Sequence, residues 1–180
     1  RNYAEHAQEM GFSGREPPFF FMKPADALVP VPAGETGTMA YPSLTSNLHH
    51  EVELVVALGA PLFRATKEEA AAAVYGYGVG LDMTRRDLQI AERSKQRPWD
   101  LGKDVEHSAV LAPITKTADF GAVADQRIHL EVNGKSRQDS HLSDMIWKVD
   151  EIISHLSGFY HLGPGDLIMT GTPAGVGPVV

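Results

Sequence analysis

The chain has no cysteine in its 180 residues, which excludes disulfides, thiolate nucleophiles and thiolate-held zinc. No apolar run approaches the ~18 residues that a membrane-spanning helix needs. Positive charge is scarce: 16 Lys and Arg stand against 23 Asp and Glu, a formal net charge of -7. That balance argues against a nucleic acid or an anionic membrane as partner. There is no Walker sequence, no serine nucleophile elbow and no His-Glu-x-x-His. Gly171, Gly175 and Gly177 cluster near the end, but their spacing fits no nucleotide-binding fingerprint. What remains is 43% hydrophobic and 22% charged, an ordinary soluble composition, and residues 1–180 are expected to form one domain. The chain opens on Arg1 and stops at Val179-Val180 in mid-pattern, so truncation at both ends is expected. No signal-peptide pattern is visible, and the cytoplasm is the default expectation.

The most informative stretch is His49-His50-Glu51-Val52-Glu53-Leu54-Val55-Val56-Ala57-Leu58. Its Val and Leu content predicts a strand, in which Glu51 and Glu53 share one face. Two like charges bordered by aliphatic residues fit either a solvated acidic edge or a site for a hard divalent cation. Gly76 to Leu81 predicts a second strand that delivers Asp82. Glu51, Glu53 and Asp82 together would make an all-oxygen set, suited to Mg²⁺, Mn²⁺ or Ca²⁺ rather than zinc. Alone, Asp82 reads equally well as a turn residue.

Other candidates are individually weak. Tyr3 to Met10 predicts a helix closed by Gly11, on which His6 and Glu9 stand i, i+3 and can touch. Such a pair is an oriented general base or a solvated surface pair. Lys103 could hold a substrate carboxylate or steady an enolate, or be an ordinary surface lysine. Arg85, Arg86 and Gln89 follow Asp82 and could bind an anionic tail. Gly171-Thr172-Pro173 offers a hydroxyl and free N–H groups for a carboxylate.

Around these, Phe19 to Met22 predicts a short buried strand, and residues 24 to 48 predict loops. Thr66-Lys67-Glu68-Glu69 predicts a capping box and a helix to about Tyr75. Asn133-Gly134 predicts a hairpin between Arg127–Val132 and Lys135–Gln138. Ser143 is expected to cap a helix through Leu156, and Leu167 to Thr170 to form a strand. Strands outnumber helices and few are joined by one, so a mixed, largely antiparallel α+β architecture with peripheral helices is expected.

The order of these motifs is more specific than any one of them. Asn2-Tyr3-Ala4-x-His6-Ala7-x-Glu9-Met10, Phe21-Met22-Lys23-Pro24, Leu48 to Leu54, Gly80 to Gln89, Lys103, Val132-Asn133-Gly134-x-x-Arg137-Gln138 and Gly165 to Pro178 resemble the fumarylacetoacetate hydrolase family. Within it the chain looks most like the fumarylpyruvate and acylpyruvate hydrolases. The resemblance implies a mixed β-roll, usually a homodimer, that uses Mg²⁺ or Mn²⁺ on a small diketo acid. It implies Glu51, Glu53 and Asp82 as metal ligands and His6 and Glu9 as a dyad on a lid helix hinged through Gly11 and Gly14. Lys103 is implied as the enolate-side cation, Arg86 and Gln89 as substrate contacts, and Thr172 as a carboxylate contact. Arg86 or its neighbour Arg85 is then the nearest cation for a far substrate carboxylate. The expected reaction is hydrolysis of a 3-acylpyruvate C–C bond. Oxaloacetate decarboxylation or keto–enol isomerisation is the alternative. Asp104-Val105 departs from the family pattern of a small residue and then Phe after the lysine.

Overall fold

The computed structural model of the chain describes residues 2–9, 11 and 15–179, with only the backbone described at 7–9. Met10 and Gly14, and the side chain of Glu9, lie outside the described residues. The strands are β1 (Leu28–Pro30), β2 (Leu48–His50), β3 (Val52–Leu58), β4 (Val74–Asp82), β5 (Thr84–Arg85), β6 (Ala109–Leu111), β7 (Thr115–Lys116), β8 (Arg127–Val132), β9 (Lys135–His141), β10 (Leu167–Met169) and β11 (Gly177–Pro178). The helices are α1 (Ala4–Glu9), α2 (Lys67–Ala72), α3 (Arg86–Ser94), α4 (Asp100–Lys103), α5 (Thr117–Phe120) and α6 (Val149–Ser157).

The main sheet runs β1-β6-β4-β3-β10, with β7 added to β4. Only the β1–β6 pair is parallel. A second sheet runs β11-β2-β5, and β8–β9 form the expected hairpin, with Asn133 and Gly134 both at positive φ in its turn. The architecture is therefore mixed α+β and mainly antiparallel, as expected.

β3 is central rather than an edge, and all seven of its residues are buried. Val52, Leu54, Val56 and Leu58 face a core shared with Ile152 and Ile153 of α6, Ala70 of α2, Ile128 of β8 and Ile168 of β10. Full burial of each such aliphatic side chain is worth about 1.5–3 kcal/mol. Glu53 lies on the opposite face of the same strand with Val55 and Ala57, and Glu51 precedes it in the break between β2 and β3.

Local sequence signals account for several element ends. The capping box forms: Thr66 Oγ1 accepts from the Glu69 N–H at 3.2 Å and Glu69 Oε2 from the Thr66 N–H at 2.8 Å. Three expectations are corrected. Phe19 to Met22 is not a buried strand: it is irregular, and Phe19, Phe21 and Met22 are exposed, with Phe19 edge-on to Trp99 at 5.3 Å. The helix expected from Ser143 begins only at Val149, because Lys148 takes the cap and its N–H donates to Glu151 Oε2 at 3.0 Å. Residues 24 to 48 are not all loop, since Leu28–Pro30 pairs with β6.

Candidate metal centre and active site

The β3–β4 register places Val52 opposite Leu81 and Glu53 opposite Gly80, so Glu51 lies across from Asp82. The Asp82 N–H donates to the Glu51 carbonyl at 2.9 Å. Glu51, Glu53 and Asp82 each offer a carboxylate oxygen, and these oxygens lie within 4.8 Å of one another. The three residues are 6%, 4% and 1% exposed, which removes the solvated acidic edge. Like charges opposite one another in a sheet repel, and burying each costs several kcal/mol unless something positive stands between them.

Three cations surround the cluster. Lys103, at the end of α4, donates to Glu51 Oε2 at 2.8 Å, Asp82 Oδ2 at 2.6 Å and Thr84 Oγ1 at 2.7 Å. Arg86 opens α3 and donates from Nη2 to Glu51 Oε1. Its other nitrogens donate to Gln89 Oε1 at 2.8 Å and His49 Nδ1 at 3.3 Å. The third cation is Lys23, which carries no role in the sequence analysis. Its ammonium lies 2.9 Å from Asp82 Oδ1 and donates to Ser108 Oγ at 2.6 Å and the Lys103 carbonyl at 2.5 Å. The irregular segment after Phe19 to Met22 delivers it, so only its place in a Lys-Pro step of an apolar run could have marked it.

Titration follows from this layout. Burial alone would push Glu51 up, but Lys103 and then Arg86 outweigh it and hold the carboxyl at about 2. Burial would lower Lys103, yet Asp82 and Glu51 outweigh it and keep the ammonium charged. Glu53 goes the other way: burial, then Asp82 and Glu51, push it up to about 8. The Gly171 N–H donates to Glu53 Oε2 at 2.6 Å, which opposes the shift without cancelling it. His49 is lowered to about 4 by burial and then by Arg86, so the imidazole beside Arg86 is neutral.

The donor set fits a hard divalent ion. It is all oxygen, and Glu53 is short of positive charge, its carboxyl pushed up by burial and then by Asp82 and Glu51.

The remaining candidates converge from other elements. Gly171, at φ +100°, turns the chain after β10 so that its N–H meets Glu53 and Thr172 follows, 2% exposed. A Cβ at Gly171 would lie 2.7 Å from Asn2 Cβ, so the loop packs against the entry to α1. Asn2 is pinned from the far side: its Oδ1 accepts from the Trp147 N–H at 2.7 Å and its Nδ2 donates to the Trp147 carbonyl at 2.9 Å. His6 follows on α1 and is buried, so it is not a solvated surface histidine. Gln89 is buried against Arg86. Arg85 donates to the Ser43 carbonyl at 3.2 Å, away from the carboxylates.

Residues 1–179 match the model of the fumarylacetoacetate (FAA) hydrolase C-terminal family. The chain is 52% identical over 167 residues to a fumarylpyruvate hydrolase from Ralstonia sp, covering 92% of this chain and 83% of that protein. It is 41% identical over 179 residues to the oxaloacetate tautomerase YcgM of Escherichia coli (strain K12), covering 99% and 80%. A crystal structure of fumarylpyruvate hydrolase from Pseudomonas aeruginosa, in complex with Mn²⁺ and pyruvate, superposes with a TM-score of 0.97. That match has 52% identity and covers 100% of this chain and 78% of that one.

Proposed function

The chain belongs to the fumarylacetoacetate hydrolase family, and on that premise we propose that it hydrolyses the C–C bond of a 3-acylpyruvate, converting fumarylpyruvate to fumarate and pyruvate. The observation that carries this is the buried carboxylate triad ringed by Lys23, Arg86 and Lys103, on a backbone matching a pyruvate-bound fumarylpyruvate hydrolase at a TM-score of 0.97.

Glu51, Glu53 and Asp82 would hold Mg²⁺ or Mn²⁺. Such an ion, when bound, supplies Lewis-acid polarisation and a template for an α-keto acid. His6, which the family resemblance pairs with Glu9, accepts a proton from water. The resulting hydroxide adds to the distal acyl carbonyl. The C–C bond then breaks, fumarate carries away the new oxygen, and the electron pair leaves on the pyruvate enolate, which is protonated to pyruvate. Lys103 keeps a full positive charge beside the triad, where that enolate charge develops. Arg86 and Gln89 line the same wall, and Thr172 takes a substrate carboxylate. Action as a cytoplasmic homodimer in aromatic catabolism belongs to the same proposal. The homodimer and the pathway class rest on the family resemblance, and the cytoplasm is the default expectation; no helix among the described residues is long and apolar enough to cross a membrane.

A second reading has its own support in the 41% identity to an oxaloacetate tautomerase. Keto–enol exchange of oxaloacetate also needs enolate stabilisation but no attacking water. The deciding assay gives the Mg²⁺-loaded protein fumarylpyruvate, acetylpyruvate and oxaloacetate, following diketo-acid absorbance and released pyruvate. Release of fumarate and pyruvate is expected. Oxaloacetate turnover without hydrolysis of either acylpyruvate would replace the hydrolase assignment with the tautomerase one.

A further inference from the structure

Gln138 lies on β9, in a hairpin whose neighbouring residues are mostly exposed, yet it is itself 0% exposed. Its amide makes four hydrogen bonds. Oε1 accepts from the Val52 N–H at 2.9 Å and faces His50 Nδ1 at 3.1 Å. Nε2 donates to Thr172 Oγ1 at 2.7 Å and to the Pro173 carbonyl at 2.9 Å. The amide orientation is fixed by its partners, because a backbone N–H only donates and a proline carbonyl only accepts. His50 Nδ1 must therefore carry a hydrogen.

The consequence falls on Thr172. A hydroxyl has one proton and two lone pairs. One lone pair of Thr172 Oγ1 is already taken by the Gln138 amide. Its proton is not committed to Gln138 and can be donated only to another acceptor. The loop is held against Gln138 by its backbone as well: a Cβ at Gly175, φ +93°, would collide with the Arg137 carbonyl oxygen. One residue before Thr172, the Gly171 N–H is bound to Glu53. The same short loop is thus tied to a triad carboxylate at one end and to the hairpin at the other.

We infer that Gln138 is a positioning residue that fixes the Thr172 hydroxyl as a donor toward the carboxylate of the bound keto acid. This rests on the proposed role of Thr172 as a carboxylate contact. Glu at position 138 keeps the shape but places an acceptor opposite Thr172 Oγ1, so the hydroxyl turns inward. Valine at 172 removes the hydroxyl outright. Acting through one group, the two changes must not add.

The test is a double-mutant cycle read as pyruvate affinity of the Mn²⁺-loaded protein by calorimetry. Gln138→Glu and Thr172→Val should each weaken pyruvate binding about tenfold, the lower end of the range for losing a hydrogen bond to a charged group. The double variant should lose about tenfold again in total, not about a hundredfold, and Mn²⁺ affinity should stay within about twofold throughout. On an acylpyruvate, KM should rise while kcat holds. Multiplying losses, or an unchanged pyruvate affinity in Gln138→Glu, would overturn the inference. Gln138→Met, which removes both the amide donor and the amide acceptor without adding charge, completes the same cycle if the glutamate variant does not fold. Loss of Mn²⁺ binding in both would also overturn it, because Gln138 would then serve folding alone. Intact pyruvate binding and a coupled cycle without fumarylpyruvate hydrolysis would strike the proposed reaction and leave this inference standing.

Discussion

Replacing Lys103 by methionine tests whether a lysine stands in for missing positive charge among the carboxylates. Methionine keeps most of the buried aliphatic stem and removes only the ammonium. In the metal-free protein that ammonium donates to Glu51 and Asp82 at 2.8 and 2.6 Å and is 3% exposed. Removing one partner of a buried ion pair costs about 3–5 kcal/mol, since the other charge stays buried and unmatched. For a chain of this size about 1 kcal/mol moves Tm by roughly 2–4 °C, so Tm should fall by roughly 6–20 °C. A divalent ion in the triad restores two positive charges to the same oxygens. In saturating Mn²⁺ the variant should therefore recover most of that loss, although its turnover should not return. The assay is thermal unfolding of both proteins in chelator and in Mn²⁺, with bound metal measured separately. An equal fall in Tm under both conditions would refute the reasoning, because Lys103 would then matter through packing rather than charge.

Glu53→Gln should abolish Mn²⁺ binding and turnover together; undiminished metal affinity by calorimetry would remove Glu53 from the ligand set. Glu53 is pushed up to about 8 in the metal-free protein, so metal uptake below that pH must expel its proton. Metal affinity should rise with pH and level off above about 8, with close to one proton released at neutral pH in buffers of different ionisation enthalpy. The same shift sets a stability sign: the folded carboxyl binds a proton more tightly than the unfolded one. Up to the ordinary imidazole value the lowered His49 pulls the other way, so the metal-free protein should lose stability as pH rises from there toward 8; a flat urea midpoint across that range would contradict it. His6→Ala should lower kcat by ~10² or more while metal affinity holds, and unchanged turnover would make His6 a structural residue. Arg86 spends its nitrogens on Glu51, Gln89 and His49, so Arg86→Leu should reduce kcat/KM on fumarylpyruvate and acetylpyruvate alike. A loss confined to fumarylpyruvate would show that Arg86 instead reads the far carboxylate.

The triad was legible because strand periodicity is local. Two carboxylates two residues apart in an extended apolar run share a face, even though the expected single strand breaks at Glu51 into β2 and β3, and the next apolar strand ends on Asp82. Capping boxes and an Asn-Gly turn are local in the same way: the β8–β9 hairpin and the start of α2 formed as expected, though α2 stops at Ala72 and Val74 and Tyr75 join β4. What failed was long-range. Phe19 to Met22 has the composition of a strand but joins no sheet among the described residues and instead lays Phe19 and Phe21 against Trp99. Leu28–Pro30 is too short and proline-bound to read as a strand, and it forms only because β6 runs beside it.

Lys23 and Gln138 show why polar site residues are the hardest to read. In sequence, a lysine before a proline and a glutamine after Asn-Gly-x-x-Arg are surface residues by composition. Each becomes buried only when a distant strand supplies partners: Asp82 and Ser108 for Lys23, Val52 and Thr172 for Gln138. The cluster needs both kinds of residue. Glu51, Glu53 and Asp82 carry three negative charges when all are ionised, and Lys23, Arg86 and Lys103 balance them when all are protonated, burial lowering Lys23. A divalent ion added to that balance leaves the site with two net positive charges. An acylpyruvate with a second carboxylate is a dianion, so charge alone favours it over the singly charged acetylpyruvate, before any contact to its far end is counted.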